Sequence, residues 1–144
     1  MSNVRDILKT KGNNVWSVSP QTTVNDTIKL MAEKNIGAIL VLEVGKIVGI
    51  FSERDFARHS AKRDLRLDGA VVKEVMTSRI LFVSPSTTTE ECMSLMTTKR
   101  IRHLPVIEDD KLIGLISIGD VVIKIIEDQK FSITQLERYV TGEA

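Results

Sequence analysis

An internal duplication is the feature that most constrains the fold of this 144-residue chain. A Val-Ser-Pro-x-Thr-Thr segment occurs twice, and its prolines, Pro20 and Pro85, lie 65 residues apart. When the chain is shifted by 65 residues, positions 18–59 align with positions 83–124 without a gap, and about 15 of the 42 pairs are identical. Units this similar should adopt the same fold. Because a unit of about 60 residues is marginally stable alone, we expect the two to pack as a pseudo-twofold pair.

Each unit has the same predicted order of elements, which is short strand, helix, strand, strand, helix. A Thr-x-x-acid capping signal, at Thr23 and again at Thr88, precedes apolar residues at helical spacing. Two short apolar runs then flank a charged turn, which predicts a β-hairpin. Ser52 and Ser117 begin a further helix directly after the second run. The predicted fold class is therefore α/β, with a small sheet and two helices in each repeat.

Three segments are predicted along the chain. Residues 1–65 form the first repeat with an N-terminal helix, residues 66–128 form the second repeat, and residues 129–144 form a C-terminal helix and tail. The polar and charged residues 60–70 are interpreted as the linker between the repeats. An apolar stripe at helical spacing predicts the added C-terminal helix; its members are Ile133, Leu136, Tyr139 and Val140.

Composition argues against several classes of function. A net charge of +1 with no dense basic run does not favour a nucleic-acid or anionic-membrane surface. The single cysteine, Cys92, allows no intramolecular disulfide and fits a cytoplasmic location. The apolar runs are too short to span a bilayer. Neither a metal-ligand spacing nor a catalytic set of nucleophile, base and acid is found, so no metal site and no enzyme are predicted.

The repeated pattern resembles the cystathionine-β-synthase (CBS) domain. In both units the Val-Ser-Pro-x-Thr-Thr segment leads to a helix, an apolar strand and then Lys-apolar-apolar-Gly-apolar-apolar-Ser-x-x-Asp. Over residues 4–127 the chain is similar to a tandem CBS pair, or Bateman module, of the stand-alone bacterial or archaeal type. The resemblance implies two facing sheets with clefts between them. Such modules commonly bind AMP, ADP, ATP, NAD or S-adenosylmethionine there, and they often form homodimers.

The helix that begins at Ser52 provides the first part of the expected nucleotide site. A helix N-terminus offers free N–H groups and the positive end of a dipole to a phosphate. The carboxylate of Asp55 can accept hydrogen bonds from both ribose hydroxyls, and Arg54 adds a planar cation beside it. The second repeat keeps Ser117 and Asp120 but has glycine in place of that arginine. The two clefts should therefore differ in phosphate affinity.

Arg102 and His103 provide the second part, since they resemble the basic segment that reaches phosphates in nucleotide-binding CBS proteins. The first repeat has Gly37 and Ala38 at these positions, which leave room near a base but supply no charge. The resemblance implies that one cleft draws residues from both repeats. We therefore expect Asp55 and Ser52 to hold the ribose while Arg102 or His103 meets the phosphates.

Two functions remain open at this point. The leading hypothesis is a non-catalytic regulatory module that binds AMP, ADP, ATP or NAD(H), senses energy or redox state, and acts on a regulated protein that the sequence does not identify. The apolar helix Val121–Ile126 and the added C-terminal helix are both too apolar to stand alone in water, which predicts a homodimer. The alternative is a structural or partner-docking CBS pair with unoccupied clefts, because Ser-x-x-Asp is also an ordinary helix-capping signal.

Overall fold

The computed structural model describes residues 1–62, 67 and 69–142 of the chain. Most of the predicted linker, residues 63–66 and 68, lies outside this range. In chain order the elements are α1 (Val4–Lys11), β1 (Ser17–Val18), α2 (Val24–Lys34), β2 (Ala38–Glu43), β3 (Lys46–Ser52), α3 (Glu53–Ala61), a 3₁₀ turn (Val72–Glu74), α4 (Thr89–Lys99), β4 (His103–Glu108), β5 (Lys111–Ser117) and α5 (Ile118–Thr141).

The two repeats fold alike at the offset found in the sequence. The pairs α2 and α4, β2 and β4, and β3 and β5 each begin and end 65 residues apart. Thr23 and Thr88 cap their helices, each accepting a hydrogen bond from the backbone N–H three residues later. The predicted α/β fold, with a small sheet and helices in each repeat, is confirmed.

The hairpins of the two repeats share register as well as length. In the first repeat β2 and β3 pair antiparallel from Ala38↔Ser52 to Glu43↔Lys46, with an irregularity after Val41. In the second repeat β4 and β5 pair in the same way from His103↔Ser117 onwards. This register places the first residue of one strand beside the serine that caps the next helix.

The chain divides into two compact units whose boundaries differ from those of the sequence repeats. One unit is Val15–Ile80, and the other combines Met1–Asn14 with Leu81–Ala144. The N-terminal helix, which the sequence boundaries group with the first repeat, therefore packs in the unit of the second repeat. Its buried residues Val4, Ile7 and Leu8 join the core that contains Leu104 and Ile116.

Residues 4–8 and 72–76 are the leading segments of the two repeats. Each is held by backbone hydrogen bonds to the repeat that does not directly follow it in the chain. The Val4 N–H donates to the Thr87 carbonyl at 2.9 Å, and the corresponding Val72 N–H donates to the Thr22 carbonyl at 2.8 Å. A glycine in each hairpin gives the docked segment room. A methyl group on Gly114 would lie 2.7 Å from Leu8 Cδ2, and one on Gly49 would overlap Met76. The same hydrogen bond thus holds both segments in place.

The C-terminal region forms one helix rather than two. The sequence predicts a helix after Ser117 and an added helix from Ile133, but α5 runs unbroken over 24 residues to Thr141 and is capped by Gly142, which has a positive φ. The connecting residues 127–130 are Glu-Asp-Gln-Lys, which contain no proline or glycine to break the helix. Within the described residues, no helix is both long enough and apolar enough to cross a membrane.

Candidate functional site

In the first repeat, one end of the hairpin brings together most of the predicted site residues. Ala38 pairs with Ser52 across the two strands. The first N–H of α3, that of Glu53, donates to the Gly37 carbonyl at 3.0 Å. Gly37, Ala38 and Ser52 therefore adjoin the N-terminus of α3, where Arg54 lies exposed in the first turn.

Asp55 is the buried acid of this group, with 6% of its surface exposed. Its Oδ2 accepts the Ser52 N–H at 2.9 Å and the Ser52 hydroxyl at 3.0 Å. Its Oδ1 accepts the Thr77 hydroxyl at 3.1 Å, and the Arg58 guanidinium lies 4.0 Å away. A carboxylate offers about four acceptor positions, so most of the capacity of Asp55 is used within its own unit.

The second repeat gathers the matching residues at the same end of its hairpin. His103 pairs with Ser117, and the first N–H of α5, that of Ile118, donates to the Arg102 carbonyl at 2.8 Å. The Ser117 N–H donates to Asp120 Oδ2 at 2.8 Å. Arg102, His103, Ser117 and Asp120 thus lie close together along the backbone at one end of the hairpin. The predicted combination of Asp55 with Arg102 or His103 joins two units and stays a prediction.

Lys11 is a further member of this group that the sequence analysis missed. Its ammonium group donates to Asp120 Oδ2 at 2.6 Å and to the Leu115 carbonyl at 2.7 Å. No residue in the described part of the chain donates to Asp120 Oδ1, and the Asp120 side chain is 23% exposed. Lys11 reaches this position because α1 packs on the second repeat, which its sequence neighbourhood does not indicate.

The charges around Asp120 determine its protonation. Burial raises the pKa of this carboxyl, but the hydrogen bonds from Lys11 and Ser117 and the charge of Lys11 lower it, and the net pKa is below its ordinary value. Asp120 is therefore ionised at neutral pH, with one oxygen available to a hydroxyl donor.

The surroundings of His103 favour its neutral form, whereas those of Asp120 favour its charged form. Burial lowers the pKa of His103, and the positive charges of Lys11 and Arg102 lower it further, although Asp120 acts to raise it. The imidazole is therefore mainly neutral at pH 7, within electrostatic range of two cations. An anion bound among these three groups would favour the protonated imidazole.

Other chemistry-bearing residues show no organised site. No cluster of three potential metal ligands occurs among residues 1–62, 67 and 69–142. The Cys92 thiol is fully buried, and burial, with the charge of Glu91, raises its pKa to about 11. The thiol is therefore protonated and unreactive at neutral pH.

The structure defines a class of protein built from two copies of one α/β unit, in each of which a hairpin leads into a serine-capped helix. The family model for the CBS domain matches residues 4–62 and 72–127. The chain belongs to the CBS-domain family, as a non-catalytic tandem pair.

Relatives share the fold over most of their length. The CBS domain-containing protein YhcV of Bacillus subtilis is 33% identical over 124 residues, covering 85% of each chain. The solved structure of a CBS-domain protein from Burkholderia ambifaria is 47% identical, with a TM-score of 0.84 over 89% of this chain and 96% of that one. The structure of CBSX2 in complex with AMP is 29% identical, with a TM-score of 0.74 over 90% of this chain and 99% of that one.

Proposed function

We propose that this chain is a regulatory module that binds an adenine nucleotide, namely AMP, ADP, ATP or NAD(H), in the cytoplasm and reports energy or redox state. It acts as a homodimer on a partner protein and binds neither nucleic acid nor membrane. The observation that carries the proposal is the bond from Lys11 to the partly open carboxylate of Asp120, with Arg102 and His103 at the same end of the hairpin. The AMP complex of the relative CBSX2 gives independent support for an adenosine ligand.

The second repeat offers complementary chemistry for a nucleoside phosphate. The Oδ1 atom of Asp120 can accept a ribose hydroxyl, because only Oδ2 receives the bonds from Ser117 and Lys11. Arg102, His103 and Lys11 can meet phosphate oxygens, and an arginine guanidinium suits them by its planar, forked geometry. We therefore assign the ribose to Asp120 and the phosphates to the three basic residues.

The first repeat supplies the weaker site in this proposal. Ser52, Arg54 and Asp55 lie at the start of α3, beside the small residues Gly37 and Ala38. A ribose hydroxyl would have to share Asp55 with the Thr77 hydroxyl, which already donates to it. We propose that this repeat holds the base or ribose of a nucleotide, with Arg54 as the basic residue that would meet a phosphate.

Regulation follows from differential binding. A nucleotide shifts the balance between two arrangements of the chain only by the difference in its affinity for them. A nucleotide bound at Asp120 would act most strongly on Lys11, whose ion pair it would disturb, and on His103, whose protonated form it would favour. We propose that the position of α1, which carries Lys11, is the structural signal.

Partner docking without a ligand is the second candidate function. It is favoured by Asp55, whose bonds to Ser52 and Thr77 satisfy the carboxylate with no ligand present. In that case the Ser-x-x-Asp segments serve only as helix caps.

A thermal-shift screen against AMP, ADP, ATP, NAD, NADH and S-adenosylmethionine separates the two functions. A ligand at 100 times its Kd should stabilise the fold by about 2.7 kcal/mol. Asp120→Ala should reduce the shift more than Asp55→Ala does. Asp26→Ala is the matched control, because Asp26 occupies the same third helical position in α2 with its side chain exposed. Melting curves that no ligand moves would favour docking.

A further inference from the structure

The outer half of α5 has no protein surface to pack against in its own unit. From residue 129 to residue 142 every described residue is exposed, including Phe131, Leu136 and Val140. An isolated helical segment of about 13 residues is marginal in water. A partner that covers its apolar side chains is therefore needed to hold this part of the helix.

Five of the eight large apolar side chains that are exposed along α5 follow a coiled-coil repeat. Together with the polar Gln129 they alternate at spacings of four and three along one face; the positions are Val122, Ile126, Gln129, Ile133, Leu136 and Val140. Assigned to a heptad, the β-branched residues Ile126, Ile133 and Val140 occupy the a positions, and Val122, Gln129 and Leu136 occupy the d positions. Among parallel coiled coils, β-branched residues at a with leucine at d favour two strands.

The surface of the helix also has the shape that such packing requires. A shallow apolar groove is lined by Ile133, Leu136, Glu137 and Val140, with Thr141 at its end. The first four are the a, d, e and a positions of successive turns. In a coiled coil four residues of this kind form the hole that receives a side chain of the facing helix.

We propose that α5 pairs with α5 of a second copy of this chain as a parallel two-stranded coiled coil over residues 122–140. The proposal specifies the surface and orientation of the homodimer suggested above. It rests on the helix alone and requires no nucleotide.

Gln129 decides between the two possible orientations. In a parallel pair its amide faces the same amide of the second copy, and the two can hydrogen-bond. In an antiparallel pair with Ile133 opposite Leu136, Gln129 would face Val140 and its amide would be buried without a partner. The antiparallel pair would gain exposed ion pairs between Lys130 and Glu137, but such pairs contribute less than an unsatisfied buried amide costs.

The first test measures association of the whole chain by sedimentation equilibrium without ligand. Leu136→Lys should weaken the dimer at least tenfold, because it places a charge in the seam. Phe131→Lys is the matched control, since Phe131 is equally exposed but lies on the far face of the helix at position f. A wild-type chain that stays monomeric at 100 µM, or equal weakening by both substitutions, would overturn the proposal.

The second test fixes the orientation by cross-linking Val140→Cys under mild oxidation. Parallel helices bring the two introduced thiols together and should give a disulfide-linked dimer. Antiparallel helices hold them about 16 Å apart and give none, which would contradict the parallel assignment. Gln135→Cys, on the outer face, is the control expected to remain unlinked, and the native Cys92 is fully buried. Because neither test contains a nucleotide, failure here leaves the nucleotide proposal standing, and failure of the ligand screen leaves this one standing.

Discussion

Two equivalent acids, Asp55 and Asp120, show how the same local pattern acquires different chemistry. Both cap a helix with the preceding serine, but the third element that reaches them differs. Asp55 receives the neutral hydroxyl of Thr77, whereas Asp120 receives the ammonium group of Lys11. The second repeat therefore carries a partly exposed carboxylate paired with a lysine, and the first a buried carboxylate whose acceptor positions are mostly used.

Replacing Lys11 tests the contribution of this ion pair. Because the pKa of folded Asp120 is lowered, the pair stabilises the fold above the ordinary pKa of 3.8, and this stabilisation is lost as pH falls through that value. Both side chains are partly exposed, so Lys11→Met should cost only about 0.5–1 kcal/mol at pH 7 and less at pH 3, where the folded carboxyl approaches its lowered pKa. Urea unfolding at the two pH values measures the difference, with Lys9→Met as control. An equal loss at both would show that Lys11 acts through packing.

His103 should make the affinity for phosphate depend on pH. Its pKa is lowered in the free chain by burial, Lys11 and Arg102, against the opposing charge of Asp120, and a bound phosphate would raise it. Binding then takes up a proton, so AMP should bind more tightly relative to adenosine as pH falls from 8 to 6. Protonation of the phosphate itself, whose second pKa is about 6, opposes this trend, and His103→Gln should leave only that opposing part. Calorimetric titration of both ligands checks it, and an unchanged slope in the variant would remove His103 from the site.

At the scale of elements, each leading segment joins the core of the hairpin on which it packs and should unfold together with it. Leu8 of α1 lies over Gly114 in β5, and Met76 lies over Gly49 in β3. The N-terminal helix thus belongs to the core of the second repeat, although the first repeat follows it directly in the chain.

Truncating Leu8 tests that assignment. Leu8→Ala should cost about 2–4 kcal/mol, since it leaves a cavity beside the second hairpin. Hydrogen exchange should then speed up in β4 and β5 while β2 and β3 keep their protection. Met76→Ala is the mirror control and should loosen β3 instead. Faster exchange in the first hairpin after Leu8→Ala would contradict the packing.

At the scale of the whole molecule, local signals predicted most of the fold. The caps at Thr23 and Thr88 and the two hairpins appear as expected, because each depends on residues close in sequence. The docking of α1 was missed because residues 4–8 and 72–76 are alike, and local pattern does not tell which repeat each will join. Lys11 was missed for the same reason. The unbroken α5 was missed because two apolar stripes were interpreted as two helices.

In the candidate site, too, only the features that depend on residues close in sequence could be predicted. The residues Arg102, His103, Ser117 and Asp120 could be proposed from sequence because the repeat aligns them with the end of one hairpin. Their charge state could not, since it depends on a cation from the far end of the chain. The roles of all of them in nucleotide binding remain predictions.

The central claim is that the carboxylate of Asp120 binds the ribose hydroxyls of an adenine nucleotide. Isothermal titration of AMP and 2′,3′-dideoxy-AMP into the wild-type chain and Asp120→Asn measures this directly. Hydrogen bonds to charged groups contribute about 1.5–3 kcal/mol, so loss of the hydroxyls should weaken wild-type binding about tenfold or more. The variant should bind the two ligands nearly equally. Equal binding of both ligands by the wild-type chain, or binding of neither, would contradict the account.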